Sequence, residues 1–142
     1  MGVGILLIAH QGVGEAFLEV LNQTFDQELP LKIQLLSVNH HHSADNLAHL
    51  AKKHVALLDK GMGVLVITDL FGATPANIAQ AVAQSYHAVE VISGLNLPML
   101  IRLCNYPNLS LAKLLEKALS GGKEGVFYRR KLPKMQEIAY HC

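Results

Sequence analysis

His10 ends an apolar run, GILLIAH, and small residues follow it at once, Gly12 and Gly14. A second apolar run, VLVIT, is followed directly by Asp69, after which Gly72, Ala73 and Thr74 lead into Pro75. A histidine and an aspartate so placed suit nucleophilic chemistry. An imidazole nucleophile needs one ring nitrogen free and the other fixed. A carboxylate that accepts the Nδ1–H bond holds the tautomer, orients the ring, raises the basicity of Nε2 and stabilises positive charge on the ring. The plainer alternatives are a packing histidine and a turn aspartate. The two residues taken as a pair favour function.

The stretch TDLFGATPANIA, residues 68–79, adds an anion site. Its small-residue loop runs into a helix N-terminus, where backbone N–H groups and the positive end of the helix dipole meet. The Thr74 hydroxyl either caps that helix or binds a phosphoryl oxygen. Gly12 and Gly14 give backbone room for a ligand, or form only a tight turn. They make neither GxGxxG nor a Walker loop, so a nucleotide site is not expected.

The stretch NHHHSADN, residues 39–46, tempts one toward a metal. Three adjacent histidines cannot readily aim at one ion, and no Cys or carboxylate cluster completes a set. His49 and His54 are five apart, off the i, i+4 spacing of a helical zinc pair. No metal is expected. His40, His41 and His42 read as a polar loop near the site, with a metal-binding protein as the competing hypothesis. Asn96, in SGLNLPML, either reaches the crevice or satisfies local backbone.

The elements that position these residues alternate. Strand-like runs cover Val3–Ala9, Leu31–Val38, Val64–Thr68 and Val89–Ser93. Helical spacing covers Val13–Phe25, a stretch capped by Ser43 that ends before Gly61, one with Thr74 as N-cap and Pro75 in the first position, a short one over LPMLIRLC, and SLAKLLEKALSGG, stopped by Gly121-Gly122. Residues 125–130, GVFYRR, read as a short final strand, in this chain or with another subunit. The repeated alternation predicts an α/β fold, a parallel sheet with helices on both faces. Sites in such sheets lie beyond the carboxyl ends of the strands, where the strand order reverses. A central first strand, flanked by the second and third, places His10 across the crevice from Asp69.

With 142 residues, the chain fits one domain over 1–130 and a loosely held tail over 131–142. It is 51% hydrophobic and 16% charged, with net charge +1, which points away from nucleic acid and anionic membranes as main partners. No apolar run approaches the roughly 20 residues of a membrane helix, and the N-terminus lacks a signal-peptide pattern. Cys104 and Cys142 have no metal-type spacing and read as free thiols, so a cytoplasmic location is expected.

The strand ending in His10, TDLFGATPANIA and VISGLNLPMLIRL together resemble the enzyme IIA domain of the mannose/fructose/sorbose class of the bacterial phosphoenolpyruvate-dependent sugar phosphotransferase system. The similarity spans residues 2–128. It implies a mostly parallel sheet in the order 2-1-3-4 and a homodimer that exchanges a short C-terminal strand. It implies that His10 accepts a phosphoryl group on Nε2 from HPr and passes it to an enzyme IIB, while Asp69 holds Nδ1. Thr74 would lie near the phosphoryl group, with Gly72 and Gly12 beside it. No metal or organic cofactor would take part, and a membrane permease would be reached only indirectly. Ala73 stands where the family often has a second glycine, and Leu70 where a hydroxyl residue often follows the aspartate. With no IIB domain within these residues, separate proteins would complete transport. The alternatives are a stand-alone regulatory phosphoprotein that signals nutrient supply, the phosphocarrier subunit of a dihydroxyacetone kinase, and a non-catalytic binding module.

Overall fold

A computed structural model describes residues 2–131. Four strands and five helices alternate: β1 (Gly4–His10), α1 (Val13–Thr24), β2 (Ile33–Val38), α2 (Ala44–Leu58), β3 (Val64–Thr68), α3 (Thr74–Ser85), β4 (Val89–Ser93), α4 (Leu97–Cys104) and α5 (Leu111–Glu124). All strand pairs are parallel, in the order β2-β1-β3-β4. β1 is therefore flanked by β2 and β3, and the order reverses between β1 and β3.

The unbroken apolar runs follow from burial on both faces. Ile5, Leu7 and Ala9 of β1 point into one core, with Leu21 of α1, Leu100 and Leu103 of α4, and Leu114 and Ala118 of α5. Leu6 and Ile8 point into the other, with Leu47, Ala51 and Val55 of α2 and Ile78, Ala79 and Val82 of α3. Successive residues of one strand thus feed opposite layers. The result is the expected three-layer α/β architecture.

Local signals start most helices. Ser43 accepts the N–H of Asn46 at 3.1 Å, Asn96 that of Met99 at 2.9 Å, and Ser110 that of Lys113 at 3.4 Å. Asn96 also donates to the Gly94 and Gly122 carbonyls, so it satisfies local backbone. The ends of β1, β2 and α1 shift by one or two residues from the sequence reading, and two helix boundaries differ for reasons of packing and bonding. α3 begins one residue early, because the Ala73 carbonyl accepts the Asn77 N–H at 3.1 Å and makes Ala73, not Thr74, the N-cap. α5 runs through Gly121 and Gly122 to Glu124. A Cβ on Gly121 would lie 2.6 Å from Arg102 Cβ, and one on Gly122 would lie 2.9 Å from Met99 Cε. The glycines let α5 press onto α4, and that packing offsets an intrinsic helix cost of about 1 kcal/mol each.

The final strand read over 125–130 does not form within one chain. Residues 126–131 lie outside any regular element, and Val126, Phe127 and Tyr128 are 82–88% exposed. Of the tail read over 131–142, Lys131 is exposed and the rest lies outside the described residues. Cys142 is among those, while Cys104 is a free thiol in the core, pushed up to about 11 by burial. No helix among the described residues is long and apolar enough to cross a membrane.

The α4–α5 contact is directly testable. Gly121→Val should lower stability by about 1–3 kcal/mol through overpacking against Arg102. Urea unfolding followed by circular dichroism measures it, and an unchanged midpoint would contradict the close approach.

Candidate active site

Register brings the two chemical residues together. Ile8 pairs with Thr68, so His10 and Asp69 leave adjacent strands at the same sheet end, at the switch point. One carboxylate oxygen, Asp69 Oδ2, accepts the backbone N–H of His10 at 3.0 Å and lies 2.8 Å from its Nδ1. The backbone bond sets where the ring starts, and the ring bond sets how it turns. Facing a carboxylate, Nδ1 carries the proton, and Nε2 keeps its lone pair. The Asp69 side chain is 11% exposed and that of His10 47%. The carboxylate is thus largely withdrawn from water while the imidazole is reachable. The other oxygen, Asp69 Oδ1, is buried without a hydrogen-bond partner among the described residues.

The turn after β1 is pinned to β2. Gln11 N–H donates to the Val38 carbonyl at 2.9 Å. Gly12 has φ +93°, a left-handed conformation that glycine takes without strain. Its N–H donates to Glu15 Oε1 at 3.0 Å, and Ser37 Oγ donates to Glu15 Oε2 at 2.9 Å. Glu15 therefore ties the start of α1 to β2. Its pKa is lowered chiefly by its own backbone N–H, with the Ser37 hydroxyl and Gly12 N–H adding, against the opposing effect of burial. Gly14 is a packing residue, since a Cβ there would lie 2.3 Å from Leu35 Cδ1.

On the β3 side, Gly72 has φ +84°, and the Ala73 N–H donates to the Leu70 carbonyl at 3.3 Å. This turn delivers Thr74 as the first residue of α3. Pro75 has no N–H, so Thr74 and Ala76 carry the first-turn N–H groups that lack helical partners. The Thr74 hydroxyl makes no hydrogen bond among the described residues and faces a cleft.

That cleft has a volume of about 550 Å³ and is lined by His10, Gln11, Val38, Asn39, His40, His42, Ala44 and Thr74. His10 and Thr74 share it, as the sequence reading requires. Gly12 and Gly72 flank it without lining it, and the Gly12 N–H is already occupied by Glu15. His40 and His42, read only as a nearby polar loop, are part of its wall. A second hollow, about 560 Å³, sits at the opposite end of the sheet beside Gly2, Leu31 and Lys32, away from the histidine–aspartate pair. Among the described residues, no three His, Cys, Asp or Glu side chains converge as a metal set. His54 instead lies 2.6 Å, through Nδ1, from Gln34 Oε1, where burial lowers its pKa.

Fold and site together define a doubly wound α/β domain built around an oriented, reachable histidine. Residues 4–119 match the family described as the PTS system fructose IIA component, and the chain belongs to that family of sugar phosphotransferase system components. It is 33% identical over 86 residues to the PTS system mannose-specific EIIAB component of Escherichia coli (strain K12), a match over 59% of this chain and 27% of that protein. The chain thus spans about a quarter of that relative's length. It is 29% identical over 118 residues to the PTS system sorbose-specific EIIA component of Lacticaseibacillus casei, covering 78% of each. The crystal structure of phosphotransferase system component EIIA from Streptococcus agalactiae shares the fold, with TM-score 0.78 and 24% identity over 89% of this chain and 96% of that one. The resemblance read from the sequence and the 2-1-3-4 sheet are both borne out.

Glu15 gives the turn a pH signature. Its lowered pKa means that the unfolded chain takes the proton more readily than the folded one. Its stabilising contribution is therefore full above the ordinary value of 4.5 and is lost as pH falls through the lower folded value. Glu15→Gln should be less stable than wild type at neutral pH, and the gap should close well below pH 4.5. Urea midpoints across pH check this, and a gap independent of pH would contradict it.

Proposed function

We propose that this chain is a histidine phosphocarrier that accepts a phosphoryl group on Nε2 of His10 from phospho-HPr and passes it to an enzyme IIB in sugar uptake. The observation that carries the reading is the single Asp69 oxygen holding both the backbone N–H and Nδ1 of His10. In the transfer, the Nε2 lone pair forms the new N–P bond as the donor's N–P bond breaks, and the donor nitrogen keeps that electron pair. The proton stays on Nδ1, hydrogen-bonded to Asp69, and the positive charge that develops on the ring meets the carboxylate. Such a transfer asks a protein mainly for in-line positioning and charge stabilisation. The Thr74 hydroxyl and the N-terminal end of α3 supply donors for the phosphoryl oxygens. The mannose- and sorbose-specific relatives support the sugar-uptake setting.

Incubation with phosphoenolpyruvate, enzyme I and HPr should place acid-labile label on the wild type and none on His10→Ala. Asp69→Asn should slow acquisition by about a hundredfold or more, because an amide can hold the wrong tautomer. Label that survives His10→Ala would overturn the assignment.

The working unit in this reading is a homodimer that exchanges residues 125–130. Two observations support it: among the described residues β4 has a neighbour on one side only, and Val126, Phe127 and Tyr128 are exposed beyond α5. Light scattering should give a dimer for the full chain and a monomer for a chain ended at Gly125. A monomeric full chain at micromolar concentration would contradict the exchange.

A further inference from the structure

We propose that His40 and His42 are phosphoryl-binding residues that hold the group on His10 from the β2 side, an inference that rests on the phosphocarrier reading above. Sheet order makes this geometry available. β1 lies between β2 and β3, so the chain leaving β2 and the turn leaving β3 flank His10 on two sides. Thr74 stands on the β3 side of the cleft, and His40 and His42 stand on the β2 side.

The β2 exit is held in place. His10 pairs with Val38, and the Val38 carbonyl accepts the Gln11 N–H at 2.9 Å. Asn39 Oδ1 then accepts the His41 N–H at 2.9 Å, which folds a tight turn, and Ser43 caps α2 directly after it. The turn separates the three imidazoles. His40 and His42 line the cleft, whereas His41 does not and meets the His40 ring edge-on, with centroids 6.1 Å apart.

The chemistry of the wall suits a phosphoryl anion. Among the described residues its ionisable members are His10, His40 and His42, and no carboxylate lines it. Asp69 is engaged with Nδ1 of His10, and Asp45, in the first turn of α2, lies outside the lining. An imidazole N–H donates to an oxygen in either protonation state and adds charge when protonated. α2 and α3 both begin on the cleft, at Ala44 and Thr74, and aim their positive ends the same way.

The test phosphorylates four proteins through HPr: wild type, His40→Ala with His42→Ala, His40→Gln with His42→Gln, and His41→Ala. Acquisition rate and the ³¹P resonance of phospho-His10 are read, with melting curves for folding. The double alanine variant should acquire label about tenfold more slowly, as expected for lost charge-assisted donors, with a displaced ³¹P resonance. The double glutamine variant, which keeps N–H donors, should recover part of the rate. His41→Ala should match wild type. A double alanine variant equal to wild type in both readouts would overturn the proposal while leaving the carrier reading intact. An equal loss in His41→Ala would also overturn it, as a general effect on the loop. A wild type that takes no label would overturn the carrier reading and this inference together.

Discussion

The site depends on one oxygen. Asp69 Oδ2 accepts from the backbone of His10 and holds its ring at Nδ1, at 3.0 and 2.8 Å. A side-chain bond alone would leave the imidazole free to follow its own torsions. The added backbone bond fixes the acceptor relative to the strand, so the direction of Nε2 is set by the sheet itself. The unequal exposure of the two groups completes the arrangement. The carboxylate is largely buried, and its oxygen lies 2.8 Å from the ring nitrogen that it holds. The imidazole, half exposed, still presents its other nitrogen to a visitor.

That bond depends on β1 and β3 being neighbours in the sheet. Asp69 is 59 residues from His10 in the chain, and parallel pairing of β1 with β3 brings them within bonding distance. The same order places the β2 exit on the other side of His10. The two cores hold this arrangement rigid, because β1 is buried on both faces by residues of alternate parity. Glu15 then fastens the one turn that must stay short, by bonding both Gly12 and Ser37.

Much of this was legible in the sequence, and the reasons are physical. β3 and β4 have the bounds that their apolar runs suggest, because strands covered on both faces show no polar interruption. His10 and Asp69 stood out because polar residues at strand ends are where such a sheet opens to solvent. The misses were all non-local. α5 passes through Gly121 and Gly122 because α4 packs against them, which no helix-stop rule contains. The α3 cap moved by one residue because hydrogen-bond closure at Ala73, not side-chain type, sets the boundary. Residues 126–130 form no regular element among the described residues, so local propensity alone does not make them a strand. The triple histidine hid its arrangement, because an Asx turn at Asn39 decides which imidazoles share the cleft with His10.

The exposure around His10 fits a protein donor better than a small molecule. A small-substrate enzyme gains from enclosing its reactants and expelling water. Here the His10 side chain is half exposed, and Leu70 and Phe71 follow Asp69 directly with 60% and 82% of their surfaces open. In the carrier reading, apolar side chains left out beside His10 suit a surface that a protein partner covers. A carrier must be reached by a donor and then by an acceptor, so a permanent lid would block one of its two partners. In the proposed carrier, the docked partner keeps water from the phosphoryl group, and the groups flanking His10 hold its oxygens between visits. In that proposal, a cleft with imidazoles on the β2 side and a hydroxyl on the β3 side meets both demands, where an enclosed pocket would meet only the second.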